Sequence, residues 1–154
     1  MAERAQRRLA AIIAADVAGY SRLIGEDEEG TLLALKAHRR ELIEPLIVEH
    51  GGRIANTAGD SLLLEFPSAV DAVRCALSVQ RGMGQRNASI VREHQIRFRI
   101  GINVGDVVAE GGGRVVKFMG DAVLLAFGRQ DADRGVLALR ELKQVNRHES
   151  SFHK

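Results

Sequence analysis

The sequence predicts an α+β domain: a split βαβ (ferredoxin-like) sheet with helices on one face. Three observations carry this. Residues 9–17 form an apolar run of strand length, and Ile96–Val104 alternates strictly between apolar and polar residues. Between them, two segments of helical period flank a pair of strand-like runs joined by a short turn at 58–61. The order is strand, helices, hairpin, helix, strand.

The elements follow in turn. Residues 9–17 read as a buried strand, apolar until Asp16. Ala18-Gly19-Tyr20-Ser21 reads as a turn. The acidic residues 26–29 precede a helical stretch from about Thr31, where negative charge complements the helix dipole. Leu32, Leu35, Leu42 and Leu46 recur at helical spacing, Pro45 kinks or splits the helix, and Gly51-Gly52 ends it. Arg53–Thr57 and Leu62–Phe66 pair as a hairpin across Ala58-Gly59-Asp60-Ser61. Ser68 to Asp71 resembles a capping box and opens a helix carrying Val70, Val73 and Leu77. Residues 82–95 read as a polar loop. In the last strand Ile96, Phe98, Ile100, Ile102 and Val104 share one face, and Val107–Glu110 is expected to pair back on it after Gly105-Asp106.

The sequence then repeats itself. GGRIANTAGDSLLLEF at 51–66 returns as GGRVVKFMGDAVLLAF at 112–127, with eight of the 16 positions identical. The expected organisation is a domain over 8–110, an extra hairpin and helix over 111–145 packed on or extending it, and a disordered tail over 146–154.

Composition narrows the function. The chain has 154 residues, 45% hydrophobic and 27% charged, as an ordinary globular domain does. A single cysteine, Cys75, excludes an intrachain disulfide and a cysteine zinc site. The five histidines are scattered without zinc spacing. The net charge is only +2, and 4% aromatics offer few stacking platforms, which argues against nucleic acid as a partner. No apolar run approaches the roughly 18–20 residues of a membrane span, and a cytoplasmic location is expected.

Asp16 ends an apolar strand, where a carboxylate is costly unless paired or bound to a cation. Asp60 sits in the hairpin turn. In a split βαβ sheet the first strand and this hairpin are neighbours, so both carboxylates can meet. Two carboxylates completed by substrate phosphates form a hard-oxygen site suited to Mg²⁺ or Mn²⁺. The glycine-containing turn at Ala18, Gly19, Tyr20 and Ser21 offers backbone N–H groups to phosphate oxygens.

Ala15-Asp16-Val17-Ala18-Gly19-Tyr20-Ser21, Gly51-Gly52-Arg53, Thr57-Ala58-Gly59-Asp60 running on to Phe66, and Arg99 through Asp106 lie in register over about residues 8–110. Together they resemble the class III nucleotidyl cyclase catalytic domain of the bacterial adenylate/guanylate cyclase group. The resemblance implies two divalent ions, Mg²⁺ or Mn²⁺, bridged by Asp16 and Asp60, with the Val17 carbonyl as a further ligand. It implies ATP, ahead of GTP, as the nucleoside triphosphate substrate, the 3′,5′-cyclic nucleotide and pyrophosphate as products, and a role in cyclic-nucleotide signalling. It also implies a dimer, either of two such chains or with a complete cyclase domain.

Two positions depart from the family pattern. The purine-selecting Lys falls at Asn56 here, although the second copy carries Lys117 ahead of Asp121. A helix with an Asn and an Arg that contact the transition state has no counterpart after residue 110; relative to a full cyclase domain the chain is truncated. An arginine on phosphoryl-transfer charge is worth about 10³–10⁵ in rate. The chain alone is therefore expected to be weak or silent, with a catalytically degenerate nucleotide-binding or dimerisation module as the alternative.

Overall fold

The structure, a computed structural model, describes residues 6–110 and 114–126, with side chains described for 8–105. Strand β1 (Gln6–Val17) leads to helices α1 (Tyr20–Glu26) and α2 (Glu28–His38), a π-helical turn at Arg39–Ile43, and α3 (Glu44–Glu49). Strands β2 (Arg53–Ala58) and β3 (Ser61–Phe66) form the hairpin, followed by α4 (Ala69–Asn87), β4 (Phe98–Glu110) and β5 (Arg114–Ala126). The sheet order is β2-β3-β1-β4-β5, and every neighbouring pair is antiparallel. With β1 between β3 and β4, this is the split βαβ arrangement that the element order predicts.

The strands read as they do because of what covers each face. Ala11, Ile13, Ala15 and Val17 of β1 join Leu62, Leu64 and Phe66 of β3 and Phe98, Ile100 and Ile102 of β4 in one buried cluster. Leu23, Leu35, Ile43, Ile47, Cys75 and Val79 pack on that cluster from the helices. Ala10 and Ile12, of the opposite parity, pack with Leu63 on the other face. A strand apolar on both faces loses its alternation, which is why β1 reads as a continuous run. Phe98 lies in the core and is 5% exposed, so it offers no stacking surface.

The helix segment divides as Pro45 requires. Proline lacks an N–H and crowds the carbonyl four residues earlier. The chain answers with the π turn, in which the Glu44 N–H donates to the Arg39 carbonyl, and α3 starts with Pro45 in its first turn. Asp27 caps α2 by accepting from the Gly30 N–H at 2.9 Å, and Ser68 caps α4 by accepting from the N–H groups of Val70 and Asp71. Cys75 is fully buried in α4, and burial pushes its thiol up to about 11, so it serves as a small core group.

Four expectations are corrected. Residues 20–26 form a helix, of which only the preceding turn was expected. Helix α4 continues to Asn87, into the expected loop, because the buried Asn87 side chain donates to the Ile96 carbonyl at 2.9 Å. Val107–Glu110 does not pair back: it extends β4, and β1 pairs along β4 from Val17↔Phe98 to Gln6↔Ala109. The second copy does not turn at Gly120-Asp121 either. It runs as one strand, β5, along the β4 edge, and the register shifts between Val104↔Ala122 and Asp106↔Met119. Gly120 and Asp121 there oppose the single residue Gly105, the geometry of a bulge. The edge that truncation would have left unpaired is thereby covered. The expected helix after residue 127 and the tail over 146–154 lie outside the described residues.

Candidate functional site

Asp16 lies one residue from the end of β1, with its side chain on the helix-free face of the sheet. Its direct cross-strand partner in β4 is Arg99. The guanidinium forms a two-pronged pair with the carboxylate, Nε to Oδ1 and NH2 to Oδ2, each at 2.7 Å. This Asp16 hydrogen bond, then the charge of Asp16 and that of nearby Asp60, hold the Arg99 pKa above the usual arginine value. The pair remains solvent-facing, with 38% of the Asp16 side chain and 68% of the Arg99 side chain exposed.

Asp60 reaches the same end of β1. Its Oδ2 accepts the Val17 N–H at 2.9 Å, which pins the hairpin turn to the residue after Asp16. Gly59 makes that turn possible, since its φ of 57° lies in the left-handed region. Arg39, from the π turn, donates to the Gly59 carbonyl at 2.8 Å. Arg39 thus positions the hairpin tip from the helix layer. Arg39→Ala is expected to raise amide exchange at the Val17 N–H by roughly fivefold, the effect of losing one hydrogen bond of about 1 kcal/mol. Hydrogen exchange followed by NMR measures it, and an unchanged rate would show that the tip holds itself.

The turn after β1 is partly committed already. The Ala18 N–H donates to the Arg97 carbonyl at 2.8 Å, which removes Ala18 from the expected set of phosphate donors. Gly19, with φ 67°, turns the chain into α1. Tyr20 packs against the core and Ser21 is exposed.

An open cleft of about 450 Å³ lies on this face, and Asp16, Asn56, Ala58, Leu63, Arg99 and Gly101 are among its walls. Asn56, the purine-selecting position of the resemblance, thus lines the same cleft as Asp16. Its Oδ1 accepts from the Thr57 N–H at 2.9 Å. Lys117 and Asp121 are described by backbone only: Lys117 pairs with Val108, and Asp121 sits in the bulge. Further along the face, Glu65 is 3% exposed and is held by Arg53 through two hydrogen bonds of 2.9 and 2.6 Å, with Arg8 paired to its other oxygen. That cluster ties β1, β2 and β3 together.

Among the described residues no group of three or more His, Cys, Asp or Glu converges. An all-protein cage is therefore not what Asp16 and Asp60 resemble. Two carboxylates are the donor set that Mg²⁺ and Mn²⁺ take when substrate phosphates and water complete the shell. Asp16 and Asp60 match that donor set, and the Arg99 guanidinium holds the same Asp16 oxygens that a divalent ion would take.

The comparisons decide the family. The chain is 45% identical over 108 residues to "Putative adenylate cyclase 3" of Rhizobium meliloti (strain 1021), a match spanning 70% of this chain and 18% of that protein. The adenylate/guanylate cyclase/hydrolase of Silicibacter pomeroyi superposes with a TM-score of 0.68 at 47% identity, over 75% of this chain and 66% of that one. The chain belongs to the class III nucleotidyl cyclase family. The adenylyl cyclase CyaB of P. aeruginosa shares the fold of this cyclase domain, with a TM-score of 0.61 at 20% identity over 90% of this chain and 74% of that one. No family model matches the chain. The cyclase domain described here is thus a small part of the Rhizobium relative's length and about two thirds of the Silicibacter chain. No described helix is long and apolar enough to cross a membrane.

Sequence reasoning brought the Asp60 turn to the Asp16 end of β1, where Asp60 accepts the Val17 N–H, but missed Arg99 and Arg39. Arg99 stood in the quoted motif, on the polar parity of an alternating strand. The missing information was register: only the β1–β4 pairing shows that it faces Asp16.

Proposed function

We propose that this cyclase domain converts ATP, in preference to GTP, to the 3′,5′-cyclic nucleotide and pyrophosphate, with Asp16 and Asp60 as the metal-holding carboxylates. The observation that carries the reading is the convergence of Asp16, Asp60 and the Gly19 turn at one end of β1. In this reading the ribose 3′-oxygen loses its proton and bonds to the α-phosphorus, and the bond from that phosphorus to the departing pyrophosphate breaks. Divalent ions supply charge stabilisation on the triphosphate and lower the pKa of the 3′-OH. Asp60 presents its oxygens from a turn fixed by Val17 and Arg39, so little reorganisation is needed when the nucleotide arrives. The backbone N–H groups of Gly19, Tyr20 and Ser21 face the phosphates, and the cleft beside Asn56 takes the base. The preference for ATP rests on the name of the Rhizobium relative.

A second reading is supported by Asn56 standing where the family has Lys, and by the absence from this sequence of an Asn and an Arg four residues apart in the order the family uses. On that reading the chain binds nucleotide with metal and acts through a dimer with a second copy or with a complete cyclase domain, of which the complete domain would supply the missing groups. In both readings the chain alone turns over slowly. Equilibrium binding of ATP and GTP with and without Mn²⁺ tests the part both share. Mn²⁺-dependent binding that disappears in Asp16→Ala is expected, and metal-independent binding would remove the basis for either.

A further inference from the structure

We infer that Arg99 is the resident counter-cation of Asp16 and competes with divalent ions for that carboxylate. The inference rests on the reading of Asp16 and Asp60 as metal-holding groups. The β1–β4 register sets the two residues directly opposite each other, and both carboxylate oxygens receive a guanidinium N–H at 2.7 Å. Two in-plane donors are the strongest arrangement arginine can offer a carboxylate. A dication approaching Asp16 meets these donors and a full positive charge at the oxygens it needs.

The pair is nevertheless built to open. With 68% of its side chain exposed, Arg99 can rotate into solvent without disturbing the core. Exposed pairs of this kind are individually weak, so a divalent ion can displace the guanidinium. The second carboxylate is differently tied: Asp60 is held by a backbone N–H, not by a cation. One carboxylate is therefore neutralised by Arg99 and the other is anchored by a backbone N–H. Arg99 keeps two like charges at one strand end from repelling each other, and it sets a threshold that metal must overcome.

The test is calorimetric titration of the full chain with Mn²⁺ alone at pH 7 and low salt. Arg99→Gln is expected to bind Mn²⁺ about two- to fivefold more tightly than wild type, the most an exposed pair allows. Arg99→Lys, which keeps the charge but not the two-pronged contact, is expected to fall between them; it supplies the comparison if the Gln variant does not fold. As a second readout, Mg²⁺ saturation of the wild type is expected to move the Arg99 Nε–H resonance to the position of a free arginine. Binding by wild type with equal or weaker binding by both variants would overturn the inference while leaving the metal reading intact. No Mn²⁺ binding by any of the three proteins would overturn the metal reading and the inference with it.

Discussion

Asp60→Ala is expected to weaken Mn²⁺-dependent ATP binding by at least about 100-fold, because metal-borne charge stabilisation is worth several kcal/mol. The change removes two things at once: a carboxylate, and the acceptor that pins the hairpin turn to the Val17 N–H at 2.9 Å. Asp60→Asn separates them. Its amide oxygen still accepts from Val17 but carries no charge. If ligation is the role of Asp60, the Asn variant loses nucleotide binding nearly as fully as Ala while its thermal midpoint stays within about 4 °C of wild type. If anchoring is the role, Asn restores binding. Isothermal titration with Mn²⁺ and ATP, alongside thermal melts, distinguishes the two.

Phe66→Ala is expected to destabilise the domain by about 3–5 kcal/mol, a large share of the 5–15 kcal/mol that typically holds a domain folded. Phe66 is 0% exposed and ends β3 opposite Ala11 of the central strand. Its ring lies against Gly52, where even a Cβ would collide with it, so the site is packed from the α3–β2 connection as well. A cavity there cannot be filled by small neighbours such as Ala11 and Gly52. Val70→Ala, at a site 58% exposed, is expected to stay within about 0.5 kcal/mol of wild type. Urea unfolding of both variants gives the comparison. A Phe66→Ala cost below about 1 kcal/mol would show that this corner of the core is loosely packed.

Much of the fold was legible because the decisive signals are local. Alternation in β4, helical spacing around Pro45, and the Gly59-Asp60 turn each depend on neighbours in sequence. The failures came where tertiary pairing overrode local chemistry. Gly105-Asp106 and Gly120-Asp121 both carry turn residues, yet the sheet takes both into long strands and absorbs the mismatch as a bulge. Asn87 and Gln80 look like loop or surface residues. Their side chains donate instead to the carbonyls of Ile96 and Phe98, bonds that only the packed helix creates.

The site divides along the same line. Asp16 and Asp60 could be brought together from topology, since a split βαβ sheet makes β1 and β3 neighbours. Arg99 and Arg39 could not. Arg99 opposite Asp16 is a matter of register, and a one-residue slip would send its side chain to the other face. Arg39 reaches Gly59 from the helix layer across 20 residues of sequence, a tertiary contact that no local periodicity signals. Arg99 pairs with the Asp16 carboxylate, and Arg39 holds the turn that carries Asp60.

In the proposed function, nucleotide chemistry occurs at the strand end holding Asp16 and Asp60. Formation of 3′,5′-cyclic nucleotide from α-labelled ATP by the purified chain, with Mn²⁺ present and against Asp16→Ala, tests it most directly. Slow, Mn²⁺-dependent product that is absent from Asp16→Ala is the predicted result; product formed equally well by Asp16→Ala would contradict it.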